Sequence, residues 1–190
     1  MKTKNNLIAL CEAAIMIALA TVLGLLQFPP FRIDLWGNGG SIDFVMLPLI
    51  VLGWRRGIKW AVPAGLVYGF IKCLIGGGIG WGILSVLLDY VIAYGMVGLA
   101  GIFKDKKWGL VLGTLVATLG RFAVHFIAGV TIWKLAVGDS VELFGMSFGG
   151  ESAYLYSLVY NGSYMLGEMI FCLVASLILM WPLSRLPKKF

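Results

Sequence analysis

The chain has 190 residues, of which 60% are hydrophobic and 13% charged, with a mean hydropathy of +0.94. A soluble domain of that length cannot hide so much apolar surface, so the working solvent is lipid. The formal net charge of +6 falls in short basic clusters between apolar runs, an arrangement that excludes a nucleic-acid partner and fits a topology signal.

In chain order, MKTKNN precedes an apolar run over 7–28. That run is too long for the core of a signal peptide and more spans follow, so it is read as a retained first helix. Within it Ala14 and Ala18, in the segment AIMIA, form a small-xxx-small pattern that lets another helix approach closely, either a partner's or one of this chain's own. The break FPPFRIDLWGNGG carries Trp36 beside a glycine-rich turn able to fold over a pocket. A second run, 42–54, is short of the ~20 residues a span needs, so it must tilt little or stop below one interface. A third run covers 59–75, a fourth 81–103, a fifth 108–133 and a sixth 153–183, separated by GWRRG, GGGIG, FKDKK and a polar stretch ending in FGGES.

These runs predict an all-α integral membrane protein, a single transmembrane domain over 1–190 with six helices. An even number of spans puts both termini on one side. With the N-terminus inside, the inner segments hold eleven of the 15 Lys and Arg residues, which predicts cytoplasmic termini and a multi-pass protein of the cell membrane. Cys11, Cys73 and Cys172 are widely spaced, suggest neither disulfides nor a metal site, and read as small core residues.

Polar residues inside a span are costly and mark functional sites by default. At about 1.5 Å per residue, Asp89, His125 and Asn161 lie about 12–14 Å below the outer ends of the fourth, fifth and sixth spans. Three side chains from three helices therefore share one level in the outer half of the membrane. Tyr90, Trp133, Tyr156, Tyr160 and Tyr164 surround it, and Trp36 lies in the loop above. A carboxylate, an imidazole and an amide among aromatic rings suit a flat, polar, cationic heteroaromatic ligand, and Gly129 between His125 and Trp133 leaves room for a ring. Each residue also has a plainer role open to it. Trp and Tyr near helix ends form interfacial belts, and a lone Asn or His in a span hydrogen-bonds a neighbouring helix. Arg121 and Glu168 lie deeper, about 18 Å and 24 Å down. Arg121 is predicted to pair with Glu168, or with a nearby carbonyl, as a structural floor, with Asn161, Tyr164 and Glu168 on one helix face. Tyr156 and Asn161 are about 140° apart on an ideal helix, so both face one ligand only if Tyr156 lies at an irregular mouth.

The sequence has no phosphate-binding loop, dinucleotide fingerprint, zinc-type cluster or nucleophile elbow. No ATP-hydrolysing machinery is encoded, and 190 residues without a repeat are few for a carrier working alone. No enzymatic activity, covalent cofactor or metal is therefore expected.

Trp36, LLDY at 87–90, GRFAVHFIAGVTIW at 120–133 and YSLVYNGSY at 156–164 resemble the thiamine-specific S component of energy-coupling factor (ECF) transporters. The likeness extends from the alanine-rich first helix to the basic tail. It implies the six-helix S-component fold and high-affinity thiamine binding from outside. It also implies partnership with a transmembrane coupling subunit and two ATPase subunits, the only components to use ATP. By position, Trp36, Asp89, Tyr90, His125, Gly129, Trp133, Tyr156 and Asn161 match that family's ligand-contacting pattern. Arg121, Tyr160, Tyr164 and Glu168 stand behind them, and Ala14 and Ala18 match its helix-one docking motif. Two positions depart from the pattern: Asp89 where Glu also occurs, and Gly167 where many relatives have proline. Competing readings are an S component for another vitamin or for a hydroxymethylpyrimidine precursor, a small membrane enzyme acting on lipid or isoprenoid, and a solitary proton-coupled carrier.

Overall fold

The computed structural model describes residues 2–36, 39–76, 78–133, 140–149 and 152–186. Helix α1 (Lys2–Leu25) leads into an antiparallel hairpin of β1 (Arg32–Trp36) and β2 (Gly39–Asp43), with Arg32 opposite Asp43 and Trp36 opposite Gly39. Helices α2 (Met46–Arg56) and α3 (Ile58–Ile75) follow, then a 3-10 turn (Gly78–Trp81) and α4 (Ile83–Phe103). Helix α5 (Gly109–Ala128) continues into a wider π-helical stretch, Gly129–Trp133. A second hairpin, β3 (Ser140–Leu143) and β4 (Met146–Gly149), precedes α6 (Ala153–Ser184).

Among the described residues five helices, α1, α3, α4, α5 and α6, are long and apolar enough to cross a membrane. The helical membrane fold expected from the apolar runs is thus what the structure shows, with two short hairpins added in segments expected to be plain loops. The second run differs in kind. Its helix α2 has 11 residues, about 16 Å against a hydrocarbon core of about 30 Å. It does not lie at the lipid surface: Met46, Leu49, Ile50, Leu52 and Trp54 are all buried. A helix apolar on every side belongs in a core, and α2 packs with α1, α3 and α5 in the main apolar cluster. In the remainder of that run Ile42 and Asp43 end β2, and Phe44 and Val45 turn into α2. Non-helical backbone at this depth is tolerated because protein surrounds it.

Small residues set the closest helix approach. Gly65 and Gly69 of α3 lie against the carbonyls of Tyr94 and Tyr90 of α4, where a Cβ would overlap backbone. Two membrane helices therefore touch main chain to main chain, which fixes Tyr90 and Tyr94 relative to α3. At one end the Trp54 indole donates to the Lys106 carbonyl (3.2 Å), and Glu12 of α1 forms ion pairs with both Arg55 and Arg56. The basic clusters at 55–56 and 104–107 and Glu12 of α1 are gathered there. Among the cysteines, Cys73 and Cys172 are buried as expected, but Cys11 is exposed on α1.

Candidate functional site

Both π-helical stretches coincide with residues singled out from sequence. Val86–Ile92 carries Asp89 and Tyr90 on α4, and Gly129–Trp133 ends α5. A π-turn widens the helix and displaces its side chains from the regular stripe, a distortion common at functional sites.

The two stretches bring Asp89 and His125 together. His125 Nδ1 lies 3.2 Å from Asp89 Oδ1, and Ser85 Oγ donates to Asp89 Oδ2 at 2.8 Å. A carboxylate at Nδ1 fixes the ring with its proton on that nitrogen, leaving the Nε2 lone pair free to accept. His125 is only 8% exposed, and its Nε2 is buried without a hydrogen-bond partner among the described residues. Buried polar atoms are rarely left so. The Asp89 side chain keeps 21% exposure, and no Lys or Arg pairs with it among the described residues.

Asn161 joins this wall from α6, but turned towards α5. Its Nδ2 donates to the His125 carbonyl (3.2 Å) and to the carbonyl and hydroxyl of Ser157 (both 3.1 Å), and its Oδ1 accepts from the Tyr164 hydroxyl (2.9 Å). The amide thus ties two helices and orients the His125 backbone. Gly129 is likewise turned towards α6. A Cβ there would meet the Ser157 hydroxyl, so the space expected for a ligand ring is filled by Ser157, which donates to the Phe126 carbonyl at 2.9 Å. Gly129→Ala is therefore expected to destabilise the ligand-free protein by about 1–3 kcal/mol, as overpacking does. Adding Ser157→Ala should return part of the loss, read as thermal midpoints in detergent.

Tyrosines form a ladder along α6. Tyr156 stacks on Tyr160 (centroids 5.7 Å, 16° between planes), Tyr160 meets Tyr164 edge-on, and Tyr164 meets the His125 ring edge-on. Phe148 of β4 caps the ladder edge-on to Tyr156. The irregular mouth that would turn both residues to one ligand is not found: Tyr156 lies within α6, with Tyr160 and the hairpin, whereas Asn161 lies with Ser157 and α5. Tyr90 is half-buried over Gly78 of the 3-10 turn. Trp36 ends β1 and Trp133 ends the π-stretch of α5, and both side chains lie outside the described residues.

Below the ladder, Arg121 Nη1 is 2.7 Å from each oxygen of Glu168, and Arg121 Nη2 donates to the Tyr94 hydroxyl at 3.2 Å. The pair expected from depth alone is present, with Glu168 fully buried. Sequence reasoning missed Ser85 and Ser157, although each lies one helical turn before a candidate (Asp89 and Asn161), the spacing that places side chains together. It also missed Tyr94, Asp43 and Lys72. Lys72, a cation inside a span and away from every basic cluster, was the available signal for the last two.

The chemistry on offer is that of a receptor. An accessible carboxylate, a histidine acceptor and stacked rings can hold a flat cation that also donates hydrogen bonds.

Comparison with known proteins agrees with the motifs. A family described as thiamine transporter protein matches residues 10–188. The thiamine transporter ThiT of Bacillus subtilis (strain 168) is 28% identical over all of this chain and 98% of its own length. That of Lacticaseibacillus paracasei is also 28% identical, over 94% of this chain and 87% of its own length. The solved structure of ThiT from Listeria monocytogenes superposes with a TM-score of 0.75 at 26% identity, covering 96% of this chain and 97% of that one.

Proposed function

The chain belongs to the thiamine transporter protein family, and from that membership we propose that it binds thiamine as the substrate-specific S component of an ECF transporter. The observation that carries this reading is the Asp89–His125 pair, a carboxylate without a Lys or Arg partner beside a buried, unpartnered Nε2. Thiamine brings a thiazolium cation and an aminopyrimidine that both donates and accepts hydrogen bonds. Asp89 takes the amino-pyrimidine edge and balances the positive charge. His125, Tyr90, Tyr156, Trp36 and Trp133 supply ring faces, while Asn161 and Gly129 shape the wall between α5 and α6. Tyr160, Tyr164, Arg121 and Glu168 support them from behind.

In this reading both termini are cytoplasmic, the hairpins face outward, and the protein sits in the cell membrane with neither metal nor cofactor of its own. Energy comes from two ATPase subunits through a transmembrane coupling subunit. Support for a docking face comes from α1, where Ala9 and Ala13 are buried in the protein but Ala14 and Ala18 are exposed, on the face that also carries Cys11.

The first test is purification without added ligand, mass spectrometry of what co-purifies, and a tryptophan-fluorescence titration with thiamine, its phosphates and hydroxymethylpyrimidine. Preference for hydroxymethylpyrimidine would replace thiamine as the substrate. Ala14→Trp with Ala18→Trp should leave thiamine binding unchanged and lower cellular uptake by about tenfold or more, because close helix approach needs small residues. Uptake by the purified protein alone in liposomes would overturn the partnership.

A further inference from the structure

The first hairpin is anchored by one strand only. On β1, Ile33, Asp34 and Leu35 are exposed, whereas Asp43 at the end of β2 is 3% exposed. Two neighbouring contacts make the anchor. A Cβ added to Gly167 of α6 would overlap the Ile42 side chain, so the bare glycine forms a notch that Ile42 fills. Beside it the Asp43 carboxylate accepts from the Val45 amide (3.1 Å) and pairs with Lys72 Nζ of α3 at 3.5 Å. The Lys72 ammonium lies 5.2 Å from the centroid of the Tyr94 ring, the same ring over which the Arg121 guanidinium sits at 4.5 Å. Arg121 then holds Glu168, the residue after Gly167.

A contiguous series thus runs from the hairpin's base through Lys72, Tyr94 and Arg121 to Glu168, directly beneath the tyrosine ladder. Buried charges in a membrane are expensive and kept for a use. An isolated two-stranded hairpin has little stability of its own, so its seat determines where its far end stands. That far end carries Trp36, opposite Gly39.

We propose that Ile42 and Asp43, seated against Gly167 and Lys72, are positioning residues that hold the Trp36-bearing hairpin in register with the ligand site. The proposal rests on the thiamine reading only for its ligand. It also accounts for Gly167, where a proline or any other side chain would fill the notch.

The test uses the full-length protein in nanodiscs. Ile42→Ala, Gly167→Ala and Asp43→Asn should each speed thiamine dissociation by about tenfold, with little change in association, as interface changes mostly act on release. The double variant Ile42→Ala/Gly167→Ala should return to within about threefold of the parent, because the new methyl group fills the space that Ile42 leaves. A purely structural role would lower the ligand-free melting point without this rescue of the release rate, and that result would overturn the proposal. Unchanged release in Ile42→Ala and Asp43→Asn would overturn it as well. A ligand-independent measurement separates the two ideas. With a spin label at Asp34→Cys in a Cys11→Ser background, Ile42→Ala should raise label mobility even without thiamine. If the parent protein does not bind thiamine but mobility rises, the thiamine reading fails and the seat stands. If mobility is unchanged, the seat fails.

Discussion

Asp89→Asn is expected to weaken thiamine binding by about a hundredfold, measured by calorimetric titration of the purified protein. Asparagine keeps the size, its Oδ1 can still accept the His125 Nδ1 proton, and its Nδ2 can donate to the Ser85 hydroxyl, which turns from donor to acceptor, so the local frame should survive. What it loses is charge. Hydrogen bonds to charged groups contribute about 1.5–3 kcal/mol net, and each 1.4 kcal/mol is about tenfold in affinity. The Asp89 carboxylate has no Lys or Arg partner among the described residues, so a cationic ligand is its natural counter-charge. Ser85→Ala removes one hydrogen bond without touching the charge and should cost only a few-fold, about 1 kcal/mol or less. Equal affinity in Asp89→Asn and the parent would sink the central role given to the carboxylate. Equal losses in the two variants would make the effect one of geometry.

Much of this arrangement was legible because membrane helices declare themselves in long apolar runs, and depth along a helix is simple arithmetic. Arg121 and Glu168 met because both lay too deep for solvent and each needed an opposite charge. Asp89 and His125 met because they shared a level. What sequence could not supply was rotation about each helix axis. Asn161 and Gly129 lie at the right depth, yet the structure turns both towards the α5–α6 contact, where Ser157 and the His125 carbonyl occupy them. The role left open for Asn161, a hydrogen-bonding partner between helices, is the one seen in the structure.

The hairpins were hidden for a different reason. RIDLW alternates polar and apolar residues over only four positions and GGSID is short and glycine-rich, too brief a signal to distinguish strands from loop. The Asp43–Lys72 pair joins residues 29 positions apart across an unrecognised strand, so nothing local announced it. Helix α2 reads as short from sequence, but only the packing shows that it is buried among the longer helices.

The deep ion pair sets the largest expected effect on stability. Arg121→Met leaves Glu168, 0% exposed, without its main partner. Removing one member of a buried pair typically costs about 3–5 kcal/mol, because the remaining charge has neither water nor partner. Replacing both by apolar residues of similar volume is often close to neutral. The single variant Arg121→Met should therefore lower the unfolding free energy in detergent by about 3–5 kcal/mol, and Arg121→Met/Glu168→Met should recover most of that. Binding gives the second axis. If the pair is only a floor, the double variant keeps thiamine affinity within a few-fold once it folds. If Arg121 also steadies Tyr94, and through it the Lys72–Asp43 seat of the first hairpin, the stable double variant should still release thiamine faster than the parent. Stability and release then part company in one protein, which no purely structural account of the pair would produce.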